Sequence, residues 1–178
     1  MVEGLRHFSQ QLRPSILDDL GLVPAVKSLC ADLSKETGIV VEAEIKGSPM
    51  TMKPDIELML FRIVQEALTK VGKHSGTTSS QVGLVFGEGR VRLTAYDNGH
   101  GFYVPSEFND LTGQGKLGPV GMKERLQLPG GTMVISSTSG NGTELQIEIP
   151  LDQGILLTER PPAFESAPNQ PSKKPTHR

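Results

Sequence analysis

Four polar side chains recur at helical spacing in the segment RIVQEALTKVGKHS. Glu66, Lys70, Lys73 and His74 stand at i, i+4, i+7 and i+8 and so leave a helix on one side. The plain reading is a polar stripe opposite a core face, with an i,i+4 Glu–Lys surface pair; the segments that follow decide whether it does more. The run Asp97-Asn98-Gly99-His100-Gly101-Phe102 follows directly on an alternating segment. Gly99 and Gly101 let the main chain turn back and approach a flat ligand, and Asp97 could accept a hydrogen bond from an amino group. Asn-Gly is also the favoured hairpin dipeptide, but no alternating strand follows within a few residues. A third run, Gly113-Gln114-Gly115-Lys116-Leu117-Gly118-Pro119-Val120-Gly121-Met122, leads glycines into a short helix. Free N–H groups and the positive end of a helix dipole suit a polyphosphate there, although glycine-rich runs are also ordinary connectors. Gly140-Asn141-Gly142-Thr143 opens the last strand, where a turn is expected with or without a ligand.

The elements that must position these residues follow from periodicity. Val2, Leu5, Phe8 and Leu12 keep near-helical spacing up to Arg13-Pro14 and read as the end of a helix. A second helix is expected from about Val23 to Lys35, stopped by Thr37-Gly38, and a strand along Ile39, Val41, Ala43 and Ile45. The longest helix is expected from about Lys53 to His74, with Ile56, Leu60, Ile63, Val64, Ala67, Leu68 and Val71 on its core face. Val82, Leu84 and Phe86 pair with Val91, Leu93 and Ala95 as a hairpin around Gly87-Glu88-Gly89, and a long loop runs from Asp97 to Gly118. A short helix near Gly121 to Leu128 precedes a closing hairpin of Met133 and Ile135 with Leu145, Ile147 and Ile149. Three helices alternating with about five strands, four of them in hairpins, give an α/β (α+β) two-layer sandwich: a mixed sheet covered on one face by helices.

Composition excludes several classes of function. Lys and Arg number 18 against 20 Asp and Glu, a net charge of −2, which supplies no basic field for phosphate backbones or anionic membranes. With 4% aromatic residues and no Trp, base stacking on single strands has little material. No nucleic acid and no membrane contact are therefore expected of this chain, which has no run of roughly 18 apolar residues. Cys30 is single, lies in the apolar run Leu29-Cys30-Ala31 and reads as a buried thiol of a cytoplasmic protein, while a membrane anchor in a larger parent stays open. Five of the 13 Pro fall in PPAFESAPNQPSKKPTHR, so residues 153–178 are expected to be a disordered Pro-rich tail.

Taken together, five ordered segments over about residues 10 to 150 resemble the ATP-binding domain of sensor histidine kinases, which share a fold with gyrase-type ATPases. The likeness is to the subfamily that pairs with response regulators of the nitrate-regulator type. LRPSILDDLGLVPAVKSL resembles the junction between dimerisation helix and catalytic domain, and LFRIVQEALTKVGKHS the N box. AYDNGHGF resembles the first glycine box, GKLGPVGMKERLQLPGG the second with its helix, and GNGTELQIEIP the closing strand. The resemblance implies the end of a dimerisation helix at 1–14 and the catalytic domain at 15–152, with a flexible ATP lid. It implies that Glu66 orients or activates a phosphoacceptor histidine and that Asp97 binds the adenine amino group. Gly99 and Gly101 would shape the adenine pocket with Thr143 nearby, and Lys73 and His74 would approach the phosphates. Gly118 and Gly121 would belong to the phosphate-facing lid, with Lys116 and Met122 counted beside them as nucleotide-binding. ATP, a homodimeric parent and a response regulator are the implied partners, and Mg²⁺ the implied cofactor.

Three positions depart from that pattern. Lys70 stands where the family has the asparagine that holds Mg²⁺, so no residue is assigned as a metal ligand although Lys70 is counted in the nucleotide site. Pro119 and Pro129 replace aliphatic residues around the lid helix; the first is tolerable in a first helical turn, the second just past a helix end. The family's acceptor histidine lies on the first dimerisation helix, and His7 lacks its acidic neighbours, so the chain reads as a catalytic fragment or truncated relative. A catalytically impaired nucleotide-binding regulatory module is the alternative expectation, because Lys70 removes the metal ligand. A serine-directed kinase of the anti-sigma type is the third, opposed by the LRPSILDDLGL junction.

Overall fold

The structure, a computed structural model, describes residues 14–104, 126 and 130–151. Helix α1 spans Ser15–Leu20 and α2 spans Leu22–Thr37, with Gly21 between them at φ 85°. Only a residue without Cβ is at ease there. The Gly21 N–H closes α1 on the Leu17 carbonyl at 3.1 Å while its own carbonyl accepts from Ala25 at 3.3 Å. α2 ends at Gly38, which is left-handed and donates to Ser34 O at 3.0 Å, so the Thr37-Gly38 stop acts through backbone conformation.

Strand β1 (Val40–Lys46) leads to helix α3 (Pro54–Lys70), which starts with Pro54 in its first turn and Asp55 and Glu57 close behind. Proline needs no N–H there, and the acids face the positive helix end. Beyond Lys70 the helix does not stop but widens into a π-helical turn over Val71–Ser75, ended by left-handed Gly76. Gly72 permits close packing at that turn, because a methyl group on it would come within 3.0 Å of Leu33 Cδ1.

Strands β2 (Ser79–Gly87) and β3 (Arg90–Asp97) form the expected hairpin, with Gly87 opposite Arg90 across the two residues Glu88 and Gly89. Both of these have positive φ, 53° and 69°, which matches the twist of the flanking strands. Strands β4 (Thr132–Ser137) and β5 (Thr143–Pro150) close the sheet, whose order is β1-β2-β3-β5-β4. The β1–β2 pair is parallel and the other three are antiparallel, a mixed sheet of five strands.

Leu17, Leu60, Ile63, Val64, Leu84, Leu93, Ile147 and Ile149 are almost fully buried between this sheet and the helices. Each such aliphatic side chain contributes about 1.5–3 kcal/mol of burial before the entropic cost of ordering it. The other sheet face carries Tyr96, Val134, Arg92 and Glu148 exposed or half-exposed, so the described helices cover one face. Leu126 is helical and buried against this core. The remainder of the short helix expected at 121–128, the lid, residues 1–13 and the tail lie outside the described residues. Among the described residues, no helix is long and apolar enough to cross a membrane.

Candidate functional site

Three segments far apart in sequence converge at the end of the sheet where β3 stops. Asp97, the last residue of β3, is opposite Ser80 on β2 and Thr143 on β5. Neighbours on both sides leave the residue 6% exposed. Its Oδ1 accepts the Gly99 N–H at 2.9 Å, which fixes the carboxylate within its own turn. The second oxygen has no protein partner among the described residues. Burial raises the Asp97 pKa above the ordinary aspartate value, and the Gly99 N–H offsets part of that rise by stabilising the anion. A buried carboxylate with one oxygen uncommitted among the described residues can accept a hydrogen bond from a further donor.

Asn98-Gly99 does not turn a hairpin here. The chain crosses instead to the end of the α3 helix, where the His100 N–H donates to Ser75 O at 2.7 Å, and then to the β4–β5 loop, where the Gly140 N–H donates to His100 O at 2.6 Å. The glycines make this crossing possible by excluding side chains. A methyl group on Gly99 would collide with Ser75 O, one on Gly101 with Thr138 O, and one on Gly142 with Asp97 O. Gly101 and Gly142 are also left-handed, at φ 59° and 76°.

Hydroxyl groups complete the junction. Ser75 Oγ donates to Val71 O at 2.6 Å within the widened turn and accepts the Thr77 N–H at 3.2 Å. Thr77 Oγ1 reaches Asn98 Oδ1 and also Ser79 O. On the other side Ser137 Oγ accepts the Phe102 N–H at 2.8 Å, lies 2.9 Å from Gly142 O, and is 3.0 Å from Thr143 Oγ1. Ser75, Thr77, His100 and Ser137 were not singled out by sequence reasoning. The one available signal was position: Ser75 follows the polar stripe directly, and His100 lies between two glycines that were singled out.

On α3, Lys70 Nζ is 4.0 Å from Glu66 Oε1, with the side chains 45% and 31% exposed. Lys73 and His74 are exposed and follow in the π-helical turn, which departs from the regular α spacing that would align them with Glu66 and Lys70. They lie two and one residues before Ser75, whose carbonyl oxygen meets the His100 N–H of the turn that follows Asp97. The structure thus brings together Asp97, Gly99, Gly101 and Thr143, with Lys73 and His74 at the rim and Glu66 and Lys70 further back along the helix. Lys116, Gly118, Gly121 and Met122 lie outside the described residues.

Residues 55–153 match the histidine kinase-, DNA gyrase B-, and HSP90-like ATPase family. The chain is similar to the sensor histidine kinase MctS of Rhizobium johnstonii, 35% identical over 149 residues that are 84% of this chain and 32% of that protein. It is equally similar, 35% over 151 residues, to the oxygen sensor histidine kinase NreB of Staphylococcus carnosus, covering 85% of this chain and 42% of that protein. The chain therefore spans about a third to two-fifths of the length of these curated relatives. Among solved structures, the histidine kinase domain of the blue-light activated kinase EL346 from Erythrobacter litoralis superposes with a TM-score of 0.57 at 22% identity, over 73% of this chain and 65% of that one. That likeness is one of fold.

Proposed function

Because this chain belongs to the histidine kinase-, DNA gyrase B-, and HSP90-like ATPase family, as an ATP-binding domain of the sensor histidine kinase kind, we propose that it binds ATP with the adenine amino group against Asp97 and presents the γ-phosphate to a histidine on a dimerisation segment. The buried Asp97 carboxylate, half used by Gly99 and half free, is the observation that carries this reading. An amino group donates to such an anion, whereas a carbonyl oxygen at the same place would be repelled. Thr143 and the Gly99–Gly101 main chain border the base, and Lys73 and His74 border the phosphate side, where cations favour a polyanion. Lys116, Gly118, Gly121 and Met122 complete the phosphate side in this reading, within a catalytic domain at 15–152.

Glu66, partly exposed on the helix, is proposed to accept a proton from the acceptor imidazole as its nitrogen attacks the γ-phosphorus. The N–P bond forms as the bond from phosphorus to the β,γ-bridging oxygen breaks, and ADP leaves with that oxygen's electron pair. A homodimeric parent and a response regulator that receives the phosphoryl group are proposed as partners, with a cytoplasmic location.

The family's usual Mg²⁺ does not fit the residues present at its expected ligand position. A protonated Lys70 amine has no lone pair to offer a cation and repels it, and the Glu66 carboxylate is already its neighbour at 4.0 Å. Lys70 is proposed to meet the phosphates itself, which leaves ATP binding little dependent on Mg²⁺. Titration with a nonhydrolysable ATP analogue, with and without Mg²⁺, tests both statements. Saturable binding in both arms is expected; no binding in either would sink the nucleotide reading, and binding only with Mg²⁺ would sink the role given to Lys70.

A further inference from the structure

We propose that His100 is a positioning residue, whose imidazole ties the end of the α3 helix to the Asp97 turn. Gly76 follows the π-helical turn directly and is left-handed, at φ 63°. A methyl group built on it would run into the His100 ring, meeting Cε1 first, then Nδ1 at 2.8 Å and Nε2 at 2.9 Å. Three ring atoms nearest at once means that the ring lies across this glycine. The ring is exposed and makes no side-chain hydrogen bond among the described residues, so its role is contact and not the satisfaction of a buried polar group.

The main chain of the same residue is clamped on two sides, by Ser75 O at 2.7 Å and by the Gly140 N–H at 2.6 Å. His100 therefore meets the helix end through both ring and backbone. Its neighbours Gly99 and Gly101 have no side chains to hold the turn, so beyond the Asn98 amide on Thr77 the ring is the side-chain contact of this crossing with the helix end. The consequence reaches Asp97 through Gly99: its N–H holds Oδ1, and a shift at residue 100 passes through the φ and ψ of Gly99 to the peptide that carries that donor. On the other side, Lys73 and His74 are within three residues of Gly76. The ring contact thus sets the separation between the adenine-side carboxylate and the phosphate-side cations, an inference that rests on the nucleotide reading above.

The test is a double-mutant cycle on affinity for a nonhydrolysable ATP analogue, using the whole chain. Gly76→Ala carries a left-handed penalty whatever residue 100 is, but its collision with the ring disappears once the ring is gone. His100→Ala should weaken binding about tenfold, and Gly76→Ala about tenfold in the parent but less than about threefold in the His100→Ala chain. His100→Phe keeps a flat ring over Gly76 without imidazole nitrogens and should stay within about threefold of the parent. Additive losses, or a His100→Phe chain as weak as His100→Ala, would overturn the proposal while leaving the nucleotide reading intact. If the parent chain fails to bind the analogue, that reading falls and with it any role in nucleotide positioning; thermal unfolding of the same four chains then judges the ring contact, and additivity there refutes it too.

Discussion

Replacing Asp97 by Asn changes the site's chemistry while leaving its shape. The side-chain oxygen must still accept the Gly99 N–H now held at 2.9 Å, which turns the new NH₂ group toward the ligand. In the proposed binding mode a donor then faces the adenine amino group, itself a donor, and one charge-assisted hydrogen bond is lost. Such a bond is worth about 1.5–3 kcal/mol, so affinity for an ATP analogue should fall about ten- to hundredfold. Affinity for the GTP analogue should rise or hold, because a guanine carbonyl accepts from the same NH₂, and the preference between the two narrows or inverts. Asp97→Ala removes the ligand acceptor and also strands the Gly99 N–H, adding a loss of about 1–3 kcal/mol in stability that the Asn variant avoids.

Burial raises the folded-state pKa of Asp97, so the folded chain holds that proton to a higher pH than the unfolded chain does. This contribution to ligand-free stability is greatest below the ordinary aspartate range and is lost as pH rises through the raised value; Asp97→Asn should abolish that slope and match or exceed the parent at neutral pH. Calorimetric titration with both nucleotide analogues, beside thermal unfolding across the acid range, reads all of these effects. An Asn variant that keeps its fold and binds both analogues as the parent does would remove Asp97 from the site.

Lys70→Asn should make analogue binding depend on Mg²⁺ and, with an acceptor helix supplied in trans, raise phosphotransfer from labelled ATP; identical Mg²⁺ dependence and transfer rates in both chains would show that Lys70 points to solvent. Gly142→Ala forces a methyl group onto Asp97 O in a left-handed residue and should cost about 1–3 kcal/mol in denaturant unfolding, with nucleotide affinity falling alongside. An unaltered midpoint would mean that the two backbones can separate freely. Cys30 is buried with its thiol pKa pushed up to about 11 by desolvation, so alkylation at neutral pH should proceed only through unfolding; rapid modification of the native chain would contradict the packing of α2 against the core.

Periodicity made most of the fold legible. The long run from Ile56 to Val71 has one helical solution, and alternation at Val82–Phe86, Val91–Ala95 and Leu145–Ile149 has one sheet solution, so these elements appear within a few residues of expectation. Helix α1 was not foreseen: at six residues it is too short to show a period, and it exists because Leu17 is buried and Gly21 can end one helix and start the next. The π-helical turn was equally hidden, since it depends on Gly72 packing against Leu33 and on a Ser75 hydroxyl reaching Val71 O. In the candidate site, Asp97, Gly99 and Gly101 stood out because a carboxylate and paired glycines break a strand pattern. Ser75, Thr77 and Ser137 were not, because a hydroxyl in a loop looks the same in sequence whether it faces water or joins two segments.

The junction around Asp97 gathers partners that are distant along the chain: Thr77 and Asn98 are 21 residues apart, and Phe102 and Ser137 are 35 apart. Each such contact requires a loop to close before it gains anything, and the parallel β1–β2 pair adds a crossover through α3 to the same assembly. The α3 helix and the Glu88-Gly89 hairpin, by contrast, can form from local contacts. During refolding, helical signal should therefore recover before competence to bind nucleotide does. A ligand captured only by the completed junction then acts as a latch on the finished molecule, adding about RT ln(1 + [L]/Kd) to its stability and slowing its return to the partly assembled state.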